Sequence, residues 1–352
     1  MPNVKGLMAQ YAFLILPSTN RVYADASIAL TQGELQVFNR SVLDGRISDV
    51  SASTIGGVPY VTFSAGFLDN RDAAFLANLS SIYALFQVEG DVLRPVGLHP
   101  LDRFDDDLIT IQKYQGKTNE QFTKLLLNVT LLSSAFARDM LDRKFAVIDP
   151  LCGRGTTLNQ ALVFGFDAAG VDLDEKDFEA YSTFIQTWLK RKKIKHHAEY
   201  NGPVRRNGQV VARRLQISLA ATKEDYKAGA TQHLDMVNAD TARALEFFKP
   251  GTFDLLVADA PYGVQHGSRT AARGLTRSPL DLLADAAPVW SKLLRSGGAC
   301  GIAWNTFVAR REDAAKILAD AGLDPLDSEP YLGFKHRVDQ AILRDILVAS
   351  KP

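Results

Sequence analysis

The sequence predicts an α/β protein: a mostly parallel sheet with helices on its faces over residues 101–352, preceded by a small α+β domain over residues 1–100. Three observations carry that expectation. From Ile109 onward, short apolar runs alternate with stretches of helical length, the grammar of right-handed βαβ crossovers. A glycine-containing turn follows the first of those runs, and later runs end in acidic or amide residues, as strand ends that open on a ligand crevice do. The length of 352 residues exceeds a usual single domain, and 46% hydrophobic with 23% charged residues is the balance of a chain that buries a sizeable core.

In the front unit, the spacing predicts strands at Tyr11 to Leu16, Leu35 to Phe38 and Val58 to Phe63. One helix is expected to carry Ala74, Leu76, Leu79, Ile82 and Leu85 behind a capping Asp69. The first strand follows Lys5 as the core of a signal peptide would, but it is short and breaks at Pro17, Ser18, Thr19 and Asn20, so it reads as a buried strand. Between Val96 and Asp107, Pro100 and the run Asp105, Asp106, Asp107 interrupt the periodicity and mark a linker. The strands expected beyond it are Phe145 to Ile148, Ala168 to Val171, Met236 to Ala239, Asp254 to Ala258 and Ala299 to Trp304. The helices are Thr156 to Phe164, Lys176 to Lys190, Thr241 to Phe248, Leu280 to Leu294 and Glu312 to Ala321. After Gly322, β-like runs around Tyr331 and from Ala341 to Val348 are expected to finish the sheet as an antiparallel hairpin.

The segment from Val147 to Leu158 reads as strand, glycine-rich turn and helix start, where glycines let a nucleotide-type ligand approach the backbone. A dinucleotide needs a third glycine, and that position is Leu158. Asp149 at the mouth of the turn would repel a pyrophosphate and welcome the ammonium and sulfonium of S-adenosylmethionine (SAM), which makes SAM the expected cofactor. Asp172, following Gly170 and Val171, is placed to accept both ribose hydroxyls, with Asp174 the weaker candidate. Asn238, Ala239 and Asp240 end the next strand, where an amide and a carboxylate can read the adenine amine. The candidate cofactor set is therefore Asp149, Pro150, Cys152, Gly153, Gly155, Thr156, Asp172, Leu173, Asn238, Ala239, Asp240 and Asp259. A lone pair of glycines is more often an ordinary tight turn; the ordered set of acids argues for a site. Cys152 lies in the cofactor turn and not beside a target base, so it reads as packing and not as a nucleophile.

The fourth strand of this series ends in Asp259-Ala260-Pro261-Tyr262-Gly263. An exocyclic amine is a poor nucleophile while its lone pair is delocalised into a ring, so a site that methylates one must hold and polarise it. Asp259 can accept one N–H, a backbone carbonyl at Ala260 or Pro261 the other, Pro261 stiffens the turn, and Tyr262 offers a face on which a base stacks. Proximity and electrostatics then carry the rate with no metal, on a base that has left its stack. As a bare string the motif is also a common turn; its place after a SAM-type loop favours the chemical reading. The loop that follows, with Gln265, His266, Gly267, Ser268, Arg269, Arg273 and Arg277, suits substrate contact and plain solvation equally.

These residues resemble those of the tRNA guanosine N(2)-methyltransferases of the THUMP-associated group, within the class I SAM methyltransferases. The resemblance covers roughly residues 113 to 352 and is carried by Tyr114-Gln115-Gly116-Lys117-Thr118-Asn119, the Asp149 to Gly155 loop, Asp172, Asp240, and Asp259 to Gly263. It implies a Rossmann-like methyltransferase sheet, RNA and most specifically tRNA as partner, and cofactor contacts from Gly116, Thr118 and Asn119. An amine methyltransferase for protein or small molecules stays open, because a planar amide fits the same hydrogen-bond pattern, and so do two other readings. One is a DNA adenine or cytosine amino-methyltransferase, although no distinct target-recognition domain is visible. The other is a catalytically silent SAM- or RNA-binding protein, for which Ala260 is the argument, since many amine methyltransferases have proline there.

Composition limits the partners. Forty basic and forty acidic residues cancel, so nucleic acid must be attracted by a local patch. An insertion near residues 191–234 supplies a candidate: from Lys190 to Arg214 nine basic residues stand against Glu199 alone. Asn207-Gly208 reads as a hairpin turn, which gives either a basic β-arm reaching phosphates or a merely solvated one. Two cysteines, Cys152 and Cys300, have no metal or disulfide spacing, and no apolar run approaches the roughly 20 residues that span a bilayer. A soluble, cytoplasmic enzyme without metal is expected.

Overall fold

The computed structural model describes residues 8–18, 21–114, 116–260 and 278–352. Its first sheet is antiparallel and contains β1 (Ala9–Ile15), β2 (Ile47–Ile55), β3 (Val58–Ala65), β4 (Ile82–Glu89) and β5 (Val92–Val96) in the order β2-β3-β1-β4-β5. Helices α1 (Arg21–Ser41) and α2 (Asn70–Leu76) accompany it. Asp69 caps α2 as expected, in a reciprocal box with Asp72.

Two expectations fail here. Leu35 to Phe38 is not a strand but the last part of α1. The buried stripe of α1 runs through Tyr23, Ser27, Leu30, Thr31, Glu34 and Phe38, and its polar members hide the helical period. The helix behind Asp69 stops at Leu76, and Ile82 and Leu85 lie on β4. Buried Asn78 turns the chain: its amide donates to the Ala74 carbonyl and its oxygen accepts from Leu101 N, which gives the backbone an alternative to further helix.

The second part begins with α3 (Asp107–Thr110) and α4 (Glu120–Leu132). There follow β6 (Ala146–Asp149), α5 (Thr156–Val163), β7 (Asp167–Asp172), α6 (Glu175–Arg191), β8 (Lys195–Arg206), β9 (Gln209–Ala220), α7 (Lys223–Lys227) and β10 (Gln232–Asn238). Then come β11 (Phe253–Asp259), α8 (Pro279–Leu293), β12 (Leu294–Asn305), α9 (Arg311–Asp320), β13 (Asp324–Pro325), β14 (His336–Arg337) and β15 (Leu343–Ser350). The strands form one sheet in the order β13-β15-β12-β11-β6-β7-β10-β9-β8, with β14 paired to β15. Strands β10, β7, β6, β11 and β12 run parallel, as their apolar sequences require: β11 is buried from Phe253 to Ala258 because both faces are covered. The α/β class, with its Rossmann-like sheet, stands.

Two details differ. Thr241 to Glu246 is a short 3-10 turn capped by Asp240, not a full helix. Tyr331 lies in a turn and not a strand; its buried ring is core, and the antiparallel partners of β15 are β12, β13 and β14. The insertion is the expected hairpin: Asn207 at φ 50° and Gly208 at φ 80° both take the left-handed conformation that joins β8 to β9 tightly.

Helix α4 joins the two sheets. Its residues Leu125 to Leu132 are all buried. A Cβ at Gly301 of β12 would collide with the Thr130 side chain, so glycine there sets how closely α4 lies on the large sheet. From the other side, fully buried Glu34 of α1 accepts from Ser80 N, Ser80 Oγ and the Asn128 amide of α4. One hydrophobic cluster accordingly runs from Phe13, Phe38 and Phe63 to Leu126, Val147 and Leu255. Among the described residues no helix is long and apolar enough to cross a membrane.

Candidate active site

Sheet order reverses between β6 and β11, and ligands of open α/β sheets bind outside the carboxyl ends at such a point. There the chain places Asp149 at the end of β6, Asp172 at the end of β7, Asn238 at the end of β10 and Asp259 at the end of β11. The register puts Asn238 opposite Asp172 and Asp259 opposite Ala303.

The turn after β6 is shaped by glycines, as the sequence indicates, but packs by a different device. Gly155 has φ 77° as the residue before α5, and a Cβ there would collide with the Tyr181 ring. Gly153 has φ 48° and meets nothing within 4 Å, so its backbone borders open space. Where a dinucleotide fold has a helix glycine, Leu158 is fully buried, and the close approach is made by the strand: a Cβ on Gly170 would sit 2.7 Å from Cys152 Sγ and 2.9 Å from Leu158 Cδ1. Cys152 is therefore packed under the turn, with its N–H on the Val171 carbonyl at 3.1 Å. Burial, with Asp172 and Asp149 nearby, pushes its thiol well up, which removes the nucleophilic thiolate at neutral pH.

The carboxylates crowd one another. Asp149, 3% exposed, accepts from Leu151 N at 3.0 Å, yet burial, with the charges of Asp259 and Asp172 adding, pushes it up to about 7. Asp172 accepts from Gly153 N at 2.7 Å and Asp174 N at 2.9 Å, and burial pushes it up to about 6. Two buried acids with values raised toward neutrality are what a cationic ligand would discharge.

The segment before α4 folds over this turn. Tyr114 Oη lies 3.2 Å from Thr156 Oγ1, its ring stacks under the Arg154 guanidinium at 4.8 Å, and Gly116 takes φ 82°. Thr118 donates its hydroxyl to Asp259 Oδ2, so the segment before α4 touches the end of β11 directly. Asn119 caps α4 through Phe122 N, and its amide donates to Ser18 Oγ, so its side chain has a structural employment. Asn238 likewise donates to the carbonyls of Asp172 and Leu173, tying two strand ends together, and Ala239 N bonds the Asp172 carbonyl. Asp240 accepts from Ala242 N, while Leu173 projects at 49% exposure. Pro150 is buried in the turn. Pro261, Tyr262 and Gly263, Gln115, and the loop from Gln265 to Arg277 lie outside the described residues. One residue at this site went unnoticed in the sequence: Arg344 of β15, whose Nη2 is 3.8 Å from Asp259 Oδ2. No local pattern could flag a cation supplied 85 residues downstream by strand pairing.

The basic arm is less positive than its sequence. Among the described residues, ion pairs engage Lys192 with Asp105 and Asp107, Arg206 with Glu246, Arg213 with Glu175 and Glu179, and Arg214 with Asp235. None engages Lys190, Arg191, Lys193, Lys195 or Arg205, which leaves five of the nine cations for a phosphate backbone.

The methyltransferase domain of the RMKL-like UPF0020 family matches residues 127–297, the stretch that holds the glycine turn and all four strand ends. Residues 127–297 thus carry a methyltransferase domain. No curated protein matches the chain in sequence. Among solved structures, this methyltransferase is similar to a TehB-like SAM-dependent methyltransferase from Corynebacterium glutamicum, with 16% identity, 60% of this chain and 83% of that one covered, and a TM-score of 0.34. It is similar to the 1,6-didemethyltoxoflavin-N1-methyltransferase of Burkholderia thailandensis, with 16% identity, coverage of 62% and 76%, and a TM-score of 0.35. It is also similar to the T. thermophilus 16S rRNA N2 G1207 methyltransferase, with 13% identity, coverage of 90% and 61%, and a TM-score of 0.37.

Proposed function

We propose that this methyltransferase acts on an exocyclic amine of a nucleic-acid base, with N(2) of guanosine in tRNA as its acceptor. The observation that carries the reading is Asp259: a carboxylate at the end of β11, its side chain 16% exposed, hydrogen-bonded by Thr118 and close enough to Asp149 for their charges to interact. The donor set fits SAM. Asp149 would take its ammonium and sulfonium, Asp172 its ribose hydroxyls, and the open space at Gly153 admits it against the backbone.

SAM supplies an electrophilic methyl group; the rest falls to this chain. Asp259 accepts an N–H of the target amine, which turns the nitrogen lone pair out of conjugation and toward the methyl carbon. As the nitrogen becomes positive in the transition state, the same carboxylate stabilises it, so its interaction strengthens where the barrier lies. Thr118 holds Asp259 from the loop that covers the cofactor turn, which couples cofactor closure to acceptor alignment. Asp259→Ala should lower transfer from SAM to bulk tRNA by about 10²- to 10³-fold while SAM binding persists. Undiminished transfer by that variant would sink the mechanism; label entering DNA and not RNA would move the acceptor to a DNA adenine or cytosine, and SAM binding with no acceptor would support the silent reading.

A further inference from the structure

The seat of Arg344 is built with care for a residue that no motif marks. Arg344 is 4% exposed, and its guanidinium lies 4.3 Å from the centre of the Phe122 ring, in cation–π contact. Its Nη2 is 3.8 Å from Asp259 Oδ2, the same oxygen that accepts from Thr118. Phe122 belongs to the first turn of α4, where Asn119 caps its N–H, so the seat of Arg344 and the loop carrying Thr118 are one rigid unit. The strand is pinned as well. Arg344 lies opposite Asn305 of β12, whose side chain accepts from Leu343 N and donates to the Ala341 carbonyl.

The neighbouring ring adds no charge of its own. His336 is the direct partner of Arg344 on β14, and its imidazole packs 5.3 Å from Phe122. Nδ1 faces the Phe334 carbonyl at 2.9 Å, and burial, with the Arg344 charge adding, pushes the ring down to about 4, so it is neutral at physiological pH. Asp149, at the end of the adjacent strand, supplies negative charge near Asp259, and Lys117, beside Thr118, is paired with Glu120. Arg344 is thus the cation that faces Asp259 among these groups. Keeping an arginine under 5% exposed is costly unless its partner returns something.

We propose that Arg344 is a positioning residue for methyl transfer: together with Thr118 it holds Oδ2 of Asp259 and so fixes the plane of the carboxylate that aligns the target amine. This rests on the reading of Asp259 as the amine's acceptor. A carboxylate with one oxygen hydrogen-bonded by Thr118 and drawn toward the Arg344 charge at 3.8 Å is restrained about its Cβ–Cγ bond, and near-attack geometry is where small displacements cost most. A purely structural arginine would change stability and leave the division between kcat and KM alone.

The test uses the full chain with Arg344→Gln and Arg344→Lys. In transfer from SAM to bulk tRNA, Arg344→Gln should lose about 10²-fold in kcat, the scale of a displacement near 1 Å, with KM for tRNA and Kd for SAM changed less than about threefold. Arg344→Lys, which keeps a cation, should recover at least about tenfold of that loss. A second readout needs no turnover: the carboxyl carbon resonance of Asp259, assigned by its loss in Asp259→Asn, should move in Arg344→Gln and move less in Arg344→Lys. A wild-type chain that labels no tRNA would overturn the acceptor reading while that resonance still decides the arginine. An unmoved resonance, an Arg344→Gln variant with full kcat, or losses in both variants that simply follow Tm would overturn the proposal.

Discussion

Lowering the pH should weaken SAM binding by an amount that two carboxyls set. Asp149 is pushed up to about 7 and Asp172 to about 6, by burial first, with nearby carboxylates adding and hydrogen bonds opposing. If SAM's ammonium, sulfonium and ribose hydroxyls are met by carboxylates, binding must release those protons. Each pH unit below such a value costs about 1.4 kcal/mol, a factor of about ten. From pH 8 to pH 6, Asp149 alone therefore weakens binding about tenfold; Asp172, half-protonated at the lower pH, adds about twofold, roughly twentyfold together. Calorimetry at pH 6 in buffers of different ionisation enthalpy should find roughly 1.4 protons released per SAM bound. Without SAM the sign inverts. Both folded values lie above the unfolded value of 3.8, so the stability these protonated acids contribute is complete below 3.8 and disappears as pH rises through about 6 and about 7. Asp149→Asn should bind weakly and lose most of the pH dependence. SAM affinity that stays flat from pH 6 to 8, with no proton exchanged, would refute the placement of the cation at Asp149.

Three further outcomes follow from single features. Gly155→Ala should fold poorly or melt far lower, because φ 77° and the Tyr181 ring oppose it together, about 1–2 kcal/mol for the backbone and 1–3 for the overlap. Gly153→Ala, with open space around it, should carry only the backbone cost of φ 48°, about 1–2 kcal/mol, and so melt above Gly155→Ala yet weaken SAM binding; equal melting temperatures for the two variants would contradict this account of the turn. His336 has a depressed folded value, about 4 against 6.5, so its contribution is whole above 6.5 and is lost as the pH falls toward 4, on the order of 3 kcal/mol. Urea midpoints should fall less between pH 7 and pH 4.5 in His336→Gln than in the wild type, and identical falls would remove the claim. If the five unpaired cations of the arm all meet phosphates, doubling salt from 0.1 to 0.2 M should weaken tRNA binding about 10- to 20-fold, against about 80- to 270-fold for all nine; a flat response would dismiss the arm.

The parts legible in sequence are those whose signal is local. The run of β11 reads as a central strand because six consecutive buried positions leave it no other place, and Asn207-Gly208 reads as a hairpin because both residues tolerate φ above zero. The strand-end positions of Asp149, Asp172 and Asp259 are legible because the chain order alone supplies them. Helix α1 was unreadable because Glu34, Thr31 and Ser27 sit inside its buried stripe, and what makes that acceptable is a partner elsewhere in the chain, Ser80 and Asn128 for Glu34. The same reason hid Arg344: its meaning comes from Phe122 and Asp259, which only the folded sheet brings to it. The sequence of the arm overstates its positive charge, because the acids that pair with it, Glu175, Glu179, Asp235 and Glu246, lie outside the arm.

The central claim is that this methyltransferase places a methyl group on an exocyclic base amine held by Asp259. Its most direct test is nucleoside analysis of bulk tRNA after incubation with labelled SAM and either the wild-type chain or Asp259→Ala. N(2)-methylguanosine that carries the label with the wild type and is reduced at least about 10²-fold with the variant is the expected result. Label in a ring carbon, a ribose or a protein, or equal N(2)-methylguanosine from both proteins, would contradict it.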